Sequence, residues 1–369
     1  VLEGESLPDG LRALGAVALR EGLRPEAIDA VGFLTAQGVE SKVISGDGLG
    51  TVQAVALAAG VPRAEHGVSG PDIPPDEPGL GDAAIESGVM ARVTPEQKEH
   101  LIGALTARGR YVAMVGDGVN DVLALKRARL AIAMGNGSQM SKGVADLVLL
   151  TDSFATVPVA VELGRRIIRN THRVAKLFVT KSVAGATYLA TIGLAPVAFP
   201  FLARQQTVIG SLSIGIPAFF LALAPSTGPV RRDGFIPSLL GFAVPAGLVI
   251  AITVMFGYLL VTGPMEEGVT AGRTAATVSA TVLGLVVLLL VERGPEGRPI
   301  RAWVWLMTAV LLGVLLIALL VPWLQDFFAL TRPTGETTLA IALCVIAGIA
   351  GLTSIRRIPA LRRLESRGS

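Results

Sequence analysis

Between residues 174 and 355 the chain carries six apolar runs, at about 174–194, 206–224, 239–262, 273–292, 302–322 and 337–355. A helix needs about 20 mostly apolar residues to cross the hydrocarbon of a bilayer, and each run is close to that length. Core helices of a water-soluble domain are rarely so long and so uniformly apolar. The whole-chain mean hydropathy of +0.61, with 17% charged residues, comes from these runs. Residues 1–170 read instead as a water-soluble α/β region, 171–355 as a membrane domain of six helices, and 356–369 as a basic tail. The lipid bilayer is therefore the first expected partner.

Loop charges predict orientation. Arg231, Arg232, Arg293, Arg298, Arg301, Arg356, Arg357, Arg362, Arg363 and Arg367 fall on one side of the runs, while Arg204, Arg273 and Arg332 fall on the other. Ten against three places the soluble region and the C-terminus in the cytoplasm. These arginines also account for the basic balance (+3), so nucleic acid is not an expected partner. Trp303, Trp305 and Trp323 stand near run ends, where interface anchors belong. The one cysteine, Cys344, lies in an apolar run and excludes a disulfide framework or a cysteine zinc site.

In the soluble region, β-rich runs alternate with helical stretches. Strands are expected at 14–19, 40–45, 111–115, 130–134 and 146–150, and helices at 25–37, 49–59, 95–108, 120–128 and 138–144. Thr94 and Pro95 give the third helix a cap and a first-turn proline. Residues 61–80, rich in Pro, Gly and Asp, read as a loop or small insertion. This alternation predicts a partial doubly wound parallel sheet, with ligands at the C-terminal strand ends.

The polar residues cluster at those ends: Ser45-Gly46-Asp47 after one strand, and Gly116-Asp117-Gly118-Val119-Asn120-Asp121 after another. Lys98 lies early in the helix between. A hydroxyl, a cation and two carboxylates suit phosphoryl transfer, since carboxylates hold Mg²⁺ while the hydroxyl and ammonium stabilise phosphoryl charge. Ser-Gly-Asp alone is usually a turn with a helix cap, and a single Lys on a helix is usually solvated. A turn does not need the six residues of GDGVND, and the missing third Gly separates them from a dinucleotide fingerprint.

The segment VGDGVNDVLAL at 115–125, followed by KRARLAIAMGNGSQMSKGVADLVLL, closely resembles the phosphorylation-domain hinge of P-type cation-transporting ATPases, members of the haloacid-dehalogenase-like superfamily. EGLRPEA at 21–27, VISGD at 43–47 and ARVTPEQK at 91–98 fit the family in order. The resemblance implies Mg²⁺ and ATP as cofactors, a transported cation as partner, and a multi-pass protein of a bacterial-type plasma membrane. It also implies that Ser45 binds a phosphoryl oxygen, Lys98 neutralises phosphoryl charge, and Asp117 ligates Mg²⁺ with Asp121 supporting. Gly46, Asp47, Arg92 and Asn120 match positions near the nucleotide. The family's phosphorylated Asp-Lys-Thr-Gly is absent from the 369 residues. The expectation is thus the C-terminal portion of a pump, inactive alone and needing an N-terminal segment that carries the nucleophile. That strand is central in the family's sheet, so the sheet here should lack its middle.

The six runs resemble the last six spans of a ten-span pump. Gly215-Ile216-Pro217 resembles an unwound stretch of a transport-site span, where Pro217 removes a donor and frees carbonyls. Carboxylates found in calcium and proton-potassium pumps are replaced here by Ile214 and Gly185. Lys181, Ser182, Ser211, Ser213 and Thr180 remain as candidate transport-path residues. Lys181 reads either as a built-in counter-cation or as a side chain snorkelling to the interface. A membrane-tethered phosphatase or a truncated non-catalytic protein are the competing functional readings. The phosphatase would need an Asp-x-Asp motif, which the sequence lacks.

Overall fold

In the computed structural model, residues 22–151, 153–194, 197–225, 234–294, 297, 299–355 and 357–366 are described. The expected strand at 14–19, Glu21, and Arg231, Arg232, Arg298, Arg356 and Arg367 lie outside them, as do the side chains of Arg362 and Arg363. The chain forms two units, Val1–Val161 and Glu162–Ser369.

The first unit alternates helix and strand: α1 Pro25–Ala36, β1 Val43–Ile44, α2 Leu49–Ala58, β2 Gly67–Ser69, α3 Glu77–Glu86, β3 Val89–Ala91, α4 Pro95–Ala107, β4 Ala113–Gly116, α5 Val122–Arg127, β5 Leu130–Met134, α6 Gln139–Val144 and β6 Leu147–Leu149. The stretch at 61–80 is not a plain loop. It holds β2, a 3₁₀ turn at Gly70–Asp72 and the start of α3. Its Pro and Gly residues punctuate short elements, and Asp76 caps α3 by accepting from the Gly79 amide. β3, too, was not expected from the sequence. Its three residues are all buried, too few to show a period.

Among the described residues every strand pairing is parallel, but the strands form two sheets. β1-β3-β2 make one and β4-β5-β6 the other, leaving β1 and β4 each at an edge. Ile44 of β1 and Met114 of β4 lie in one apolar cluster with Ile102, Leu125 and Ala131, so side-chain packing joins what strand pairing does not. This is a partial doubly wound sheet, divided between the strand that precedes Ser45 and the strand that precedes Asp117.

The second unit is helical. α7 Thr156–Leu194 begins in the first unit and continues into the second. It is followed by α8 Ala203–Gly210, a π-helical turn Ser211–Gly215, α9 Ile216–Leu223, α10 Phe235–Thr262, α11 Gly268–Arg293, α12 Ala302–Leu320, α13 Pro322–Phe328, α14 Gly335–Ile355 and α15 Pro359–Ser366. Among the described residues, six helices are long and apolar enough to cross a membrane, with Ala203–Leu223 counting as one. The Gly215-Ile216-Pro217 stretch is therefore not unwound. The π turn takes up the local strain instead: a wider turn accommodates Pro217, which has no amide hydrogen to give back to the preceding turn.

Lipid is as apolar as Leu, so close packing and hydrogen bonds hold such a bundle together. α11 is its most enclosed helix, with Thr274, Thr277, Ser279 and Thr281 all buried. Thr277 and Thr281 satisfy their hydroxyls on carbonyls one turn back, at 2.8 Å each. At one end Glu292, its side chain only 3% exposed, takes a bidentate pair from Arg301 and lies 3.7 Å from Arg173. Arg166 and Asn170 of α7 donate to the carbonyls at Ala222, Leu223 and Ala224 that end α9.

Candidate functional site

Two hydrogen-bonded groups form at the strand ends of the first unit. In the first, the Ser45 amide donates to Met90 of β3 at 2.9 Å, and the Asp47 amide donates back to Ser45 Oγ at 3.2 Å. Ser45 Oγ lies 3.1 Å from Asp47 Oδ2. The amides of Arg92 and Val93 donate to the carbonyls of Asp47 and Ser45, at 3.0 and 3.1 Å. Arg92 takes a left-handed backbone (φ +51°), uncommon for a residue with a side chain. That turn brings its carbonyl against Gly70, where any Cβ would collide with it. Gln97 donates to the Gly70 carbonyl at 2.9 Å, completing the support.

Lys98 is placed by the start of α4. Thr94 and Gln97 form a reciprocal capping box, at 3.2 and 3.1 Å, which satisfies two orphan amides and fixes the first turn. From there Lys98 Nζ reaches Asp121 Oδ1 at 2.7 Å, with both side chains only 11% exposed. The other Asp121 oxygen accepts from the Gly118 amide at 3.3 Å. Gly116 allows this: a Cβ there would stand 2.6 Å from Asp121 Cβ. The two carboxylates of the hinge thus differ sharply. Asp121 is buried and engaged, while Asp117 is exposed.

Asp117 opens onto a hollow of about 420 Å³, shared with Arg24, Glu26, Asn136 and Ser153. Its main chain is pinned by Ser138, whose amide donates to the Asp117 carbonyl at 2.8 Å, and by buried Ser141, whose hydroxyl donates to Gly118 O at 2.6 Å. Asn120 is exposed in the 3₁₀ turn Val119–Asp121. The structure therefore joins Lys98 to Asp121, Ser45 to Asp47 and Val93, and Asp47 to Arg92, and leaves the Asp117 carboxylate exposed. Of the two hinge carboxylates, Asp117 is the one left exposed, and a carboxylate oxygen is the hard donor that Mg²⁺ takes. Sequence reading missed Gly70, Gln97 and Ser141. Gln97 was findable from the Thr-x-x-Gln spacing, whereas nothing local marks Ser141.

In the second unit a cavity of about 80 Å³ lies among α7, the π turn, α10 and α11, lined by Thr180, Lys181, Gly185, Tyr188, Gln206 and Ser213. Lys181 and Gly185 also line a groove of about 430 Å³ beside Ser182, Gly210 and Gly215. Hydroxyls of Thr180, Ser182 and Ser213 bond carbonyls one turn back, at 2.7, 3.0 and 2.6 Å, and keep spare lone pairs. Gly284 lets α11 reach Ser213, since a Cβ would lie 2.5 Å from the serine Cβ. Ser211 and Pro217 line neither space, and Ile214 and Gly185 bring no side-chain oxygen. Among the described residues no three His, Cys, Asp or Glu side chains converge as a metal site.

Residues 2–129 match the family model described as haloacid dehalogenase-like hydrolase. The calcium-transporting ATPase CtpE of Mycolicibacterium smegmatis is 34% identical over 371 residues, covering 96% of this chain and 45% of that protein. CtpE of Mycobacterium tuberculosis is 35% identical over 366 residues, covering 94% and 44%. The probable cation-transporting ATPase exp7 of Streptococcus pneumoniae is 30% identical over 342 residues, covering 89% and 42%. The chain thus spans less than half the length of the curated relatives it matches. It carries a haloacid dehalogenase-like hydrolase domain followed by a multi-pass helical bundle and is homologous, over most of its length, to the cation-transporting P-type ATPases.

Proposed function

We propose that these 369 residues form the C-terminal portion of a pump that uses ATP to move a cation across a membrane. The observation that carries the reading is the divided sheet. Among the described residues β1 and β4 are both edge strands, and the Ser45 and Asp117 turns leave their C-terminal ends. A parallel strand between them, brought by a segment outside the 369 residues and bearing the Asp-Lys-Thr-Gly nucleophile, would complete one doubly wound sheet. Its aspartate would then stand between the two polar groups at the strand ends.

In that arrangement Ser45 donates a hydrogen bond to a phosphoryl oxygen, and Lys98 supplies positive charge. Asp117, exposed and oxygen-rich in its surroundings, holds Mg²⁺, which when bound neutralises charge on the phosphate. Asp121, with both oxygens engaged, positions Lys98 and the hinge rather than touching the metal. Gly46, Asp47, Arg92 and Asn120 lie toward the nucleotide. In the bundle, Lys181, Ser213 and Thr180 line the transport path. The arginine asymmetry places the soluble unit and the C-terminus in the cytoplasm. Relatives named calcium-transporting support a metal cation as cargo.

The test compares the full-length pump with the 369 residues alone, each incubated with labelled ATP and Mg²⁺. The full-length protein is expected to form an acid-stable phosphoenzyme and to show vanadate-sensitive turnover stimulated by one member of a cation panel. The 369 residues alone are expected to form none. A phosphoenzyme on the 369 residues, or no cation stimulation of the full-length protein, would overturn the proposal.

A further inference from the structure

We infer that α13 is an interfacial helix that seats its aromatic face in the lipid headgroup–acyl boundary and fixes the depth at which the π-bulged span begins. α12 is a nineteen-residue apolar helix, about 28 Å long at 1.5 Å per residue and so close to one bilayer core. α13 starts after a single extended residue, Val321 (ψ 116°), with Pro322 in its first turn. Its position is therefore set at the edge of the hydrocarbon, with no slack to leave it.

The two faces of α13 have different partners. On the inner side Phe328 packs against the bundle core and Leu330 is buried in it. Gln325 donates to Leu319 O at 2.5 Å, closing the corner onto α12. On the outer side Trp323 and Phe327 stack at 5.8 Å between ring centres and are 69% and 57% exposed. This pair continues the exposed apolar surface of α12, where Leu316, Ile317 and Leu320 are uncovered. Val321, between the two helices, is exposed as well, so exposed apolar side chains follow one another from the end of α12 into α13. A Trp–Phe pair at a span end, with an apolar body and one indole N–H, suits the interfacial zone better than either bulk water or the acyl centre.

What makes this helix more than an anchor is what it holds. Arg204, in the first turn of α8, donates to the carbonyls of Asp326 and Phe327 at 3.0 and 3.2 Å. Neighbouring Gln205, fully buried, donates to Ala329 O at 2.7 Å and accepts from the Leu202 amide at 2.9 Å. The carbonyls that end α13 are thereby capped by the residues that begin α8. α8 leads directly into the Ser211–Gly215 π turn beside the cavity, so lipid seating of Trp323 and Phe327 sets the start of that span. This inference does not depend on the pump reading.

The test reconstitutes the chain into phosphatidylcholine vesicles brominated either near the headgroup or at the chain centre. The Trp303→Phe/Trp305→Phe variant isolates Trp323, and the difference spectrum between the parent chain and Trp323→Phe reports it without disturbing the other two. Blue-shifted emission, quenched more by headgroup-proximal bromines than by central ones and little by aqueous acrylamide, is expected. Strong acrylamide quenching, equal or stronger quenching by central bromines, or insensitivity to all three would overturn the assignment. In the same vesicles Trp323→Ser/Phe327→Ser is expected to speed amide exchange at 203–206. Unchanged exchange there would refute the link to α8.

Discussion

The Lys98–Asp121 pair makes the sharpest structural prediction, because it separates the roles of the two hinge carboxylates. Asp121→Ala removes a 2.7 Å ion pair whose side chains are 11% exposed, and with it the 3.3 Å bond from the Gly118 amide. Breaking a fully buried pair costs about 3–5 kcal/mol, because the remaining charge is stranded. The flexible Lys stem lets its ammonium regain some water, so the cost here is about 2–4 kcal/mol. At about 1.4 kcal/mol per tenfold, amide exchange through α4 and 116–127 should rise about 30- to 700-fold. Hydrogen exchange is the proper assay, since Trp303, Trp305 and Trp323 all lie in the second unit and tryptophan fluorescence does not report on the first. Lys98→Met in the Asp121→Ala background removes the stranded charge and should restore much of the protection. Exchange in Asp121→Ala within about threefold of the parent (under ~1 kcal/mol), or a double variant no better protected than the single, would refute the reasoning.

Four further outcomes follow from the same geometry. Asp117→Asn should leave exchange protection of the first unit unchanged, since the carboxylate is exposed, yet abolish Mg²⁺-dependent phosphorylation of the full-length pump; normal turnover would remove its metal role. Gly70→Ala drives a Cβ into the Arg92 carbonyl and should destabilise the first unit by about 1–3 kcal/mol, read as faster exchange around 67–72 and 89–93. Glu292→Gln leaves Arg301 and Arg173, both partly solvated, facing a neutral amide and should cost about 1–3 kcal/mol in thermal melts of the detergent-solubilised chain, with Glu292→Leu/Arg301→Met recovering much of it. Glu40 is held below the usual carboxylate range, chiefly by its hydrogen bond with Lys42. Its contribution is therefore complete above the unfolded-state value and lost as pH falls through the lower folded one, so Glu40→Gln should flatten the acid limb of the stability curve.

How much of this was legible in the sequence depended on whether a residue's task is local. The capping site at Thr94 follows from neighbours alone, and β5 at Leu130–Met134 has the bounds its apolar run suggests. The six long helices were equally plain, since length and apolarity decide them. β3 and the division into two sheets were of another kind. Val89–Ala91 is buried on both faces, so it carries no alternation, and its pairings reach β1 and β2, more than twenty residues away in each case but through only two or three residues. Gly70 looks like an ordinary loop glycine until Arg92 turns left-handed against it. Asp117 and Asp121 stand four residues apart in one motif, and only burial tells them apart. Asp121 is folded back under the loop with both oxygens engaged, and Asp117 keeps its carboxylate exposed. That asymmetry is forced by the chain: Gly116 admits the Asp121 side chain beneath it, while Ser138 and Ser141 hold the Asp117–Gly118 backbone outward. The two acids of the hinge are therefore unlike in structure: Asp121 is an internal support that pairs with Lys98, and Asp117 is an outward carboxylate.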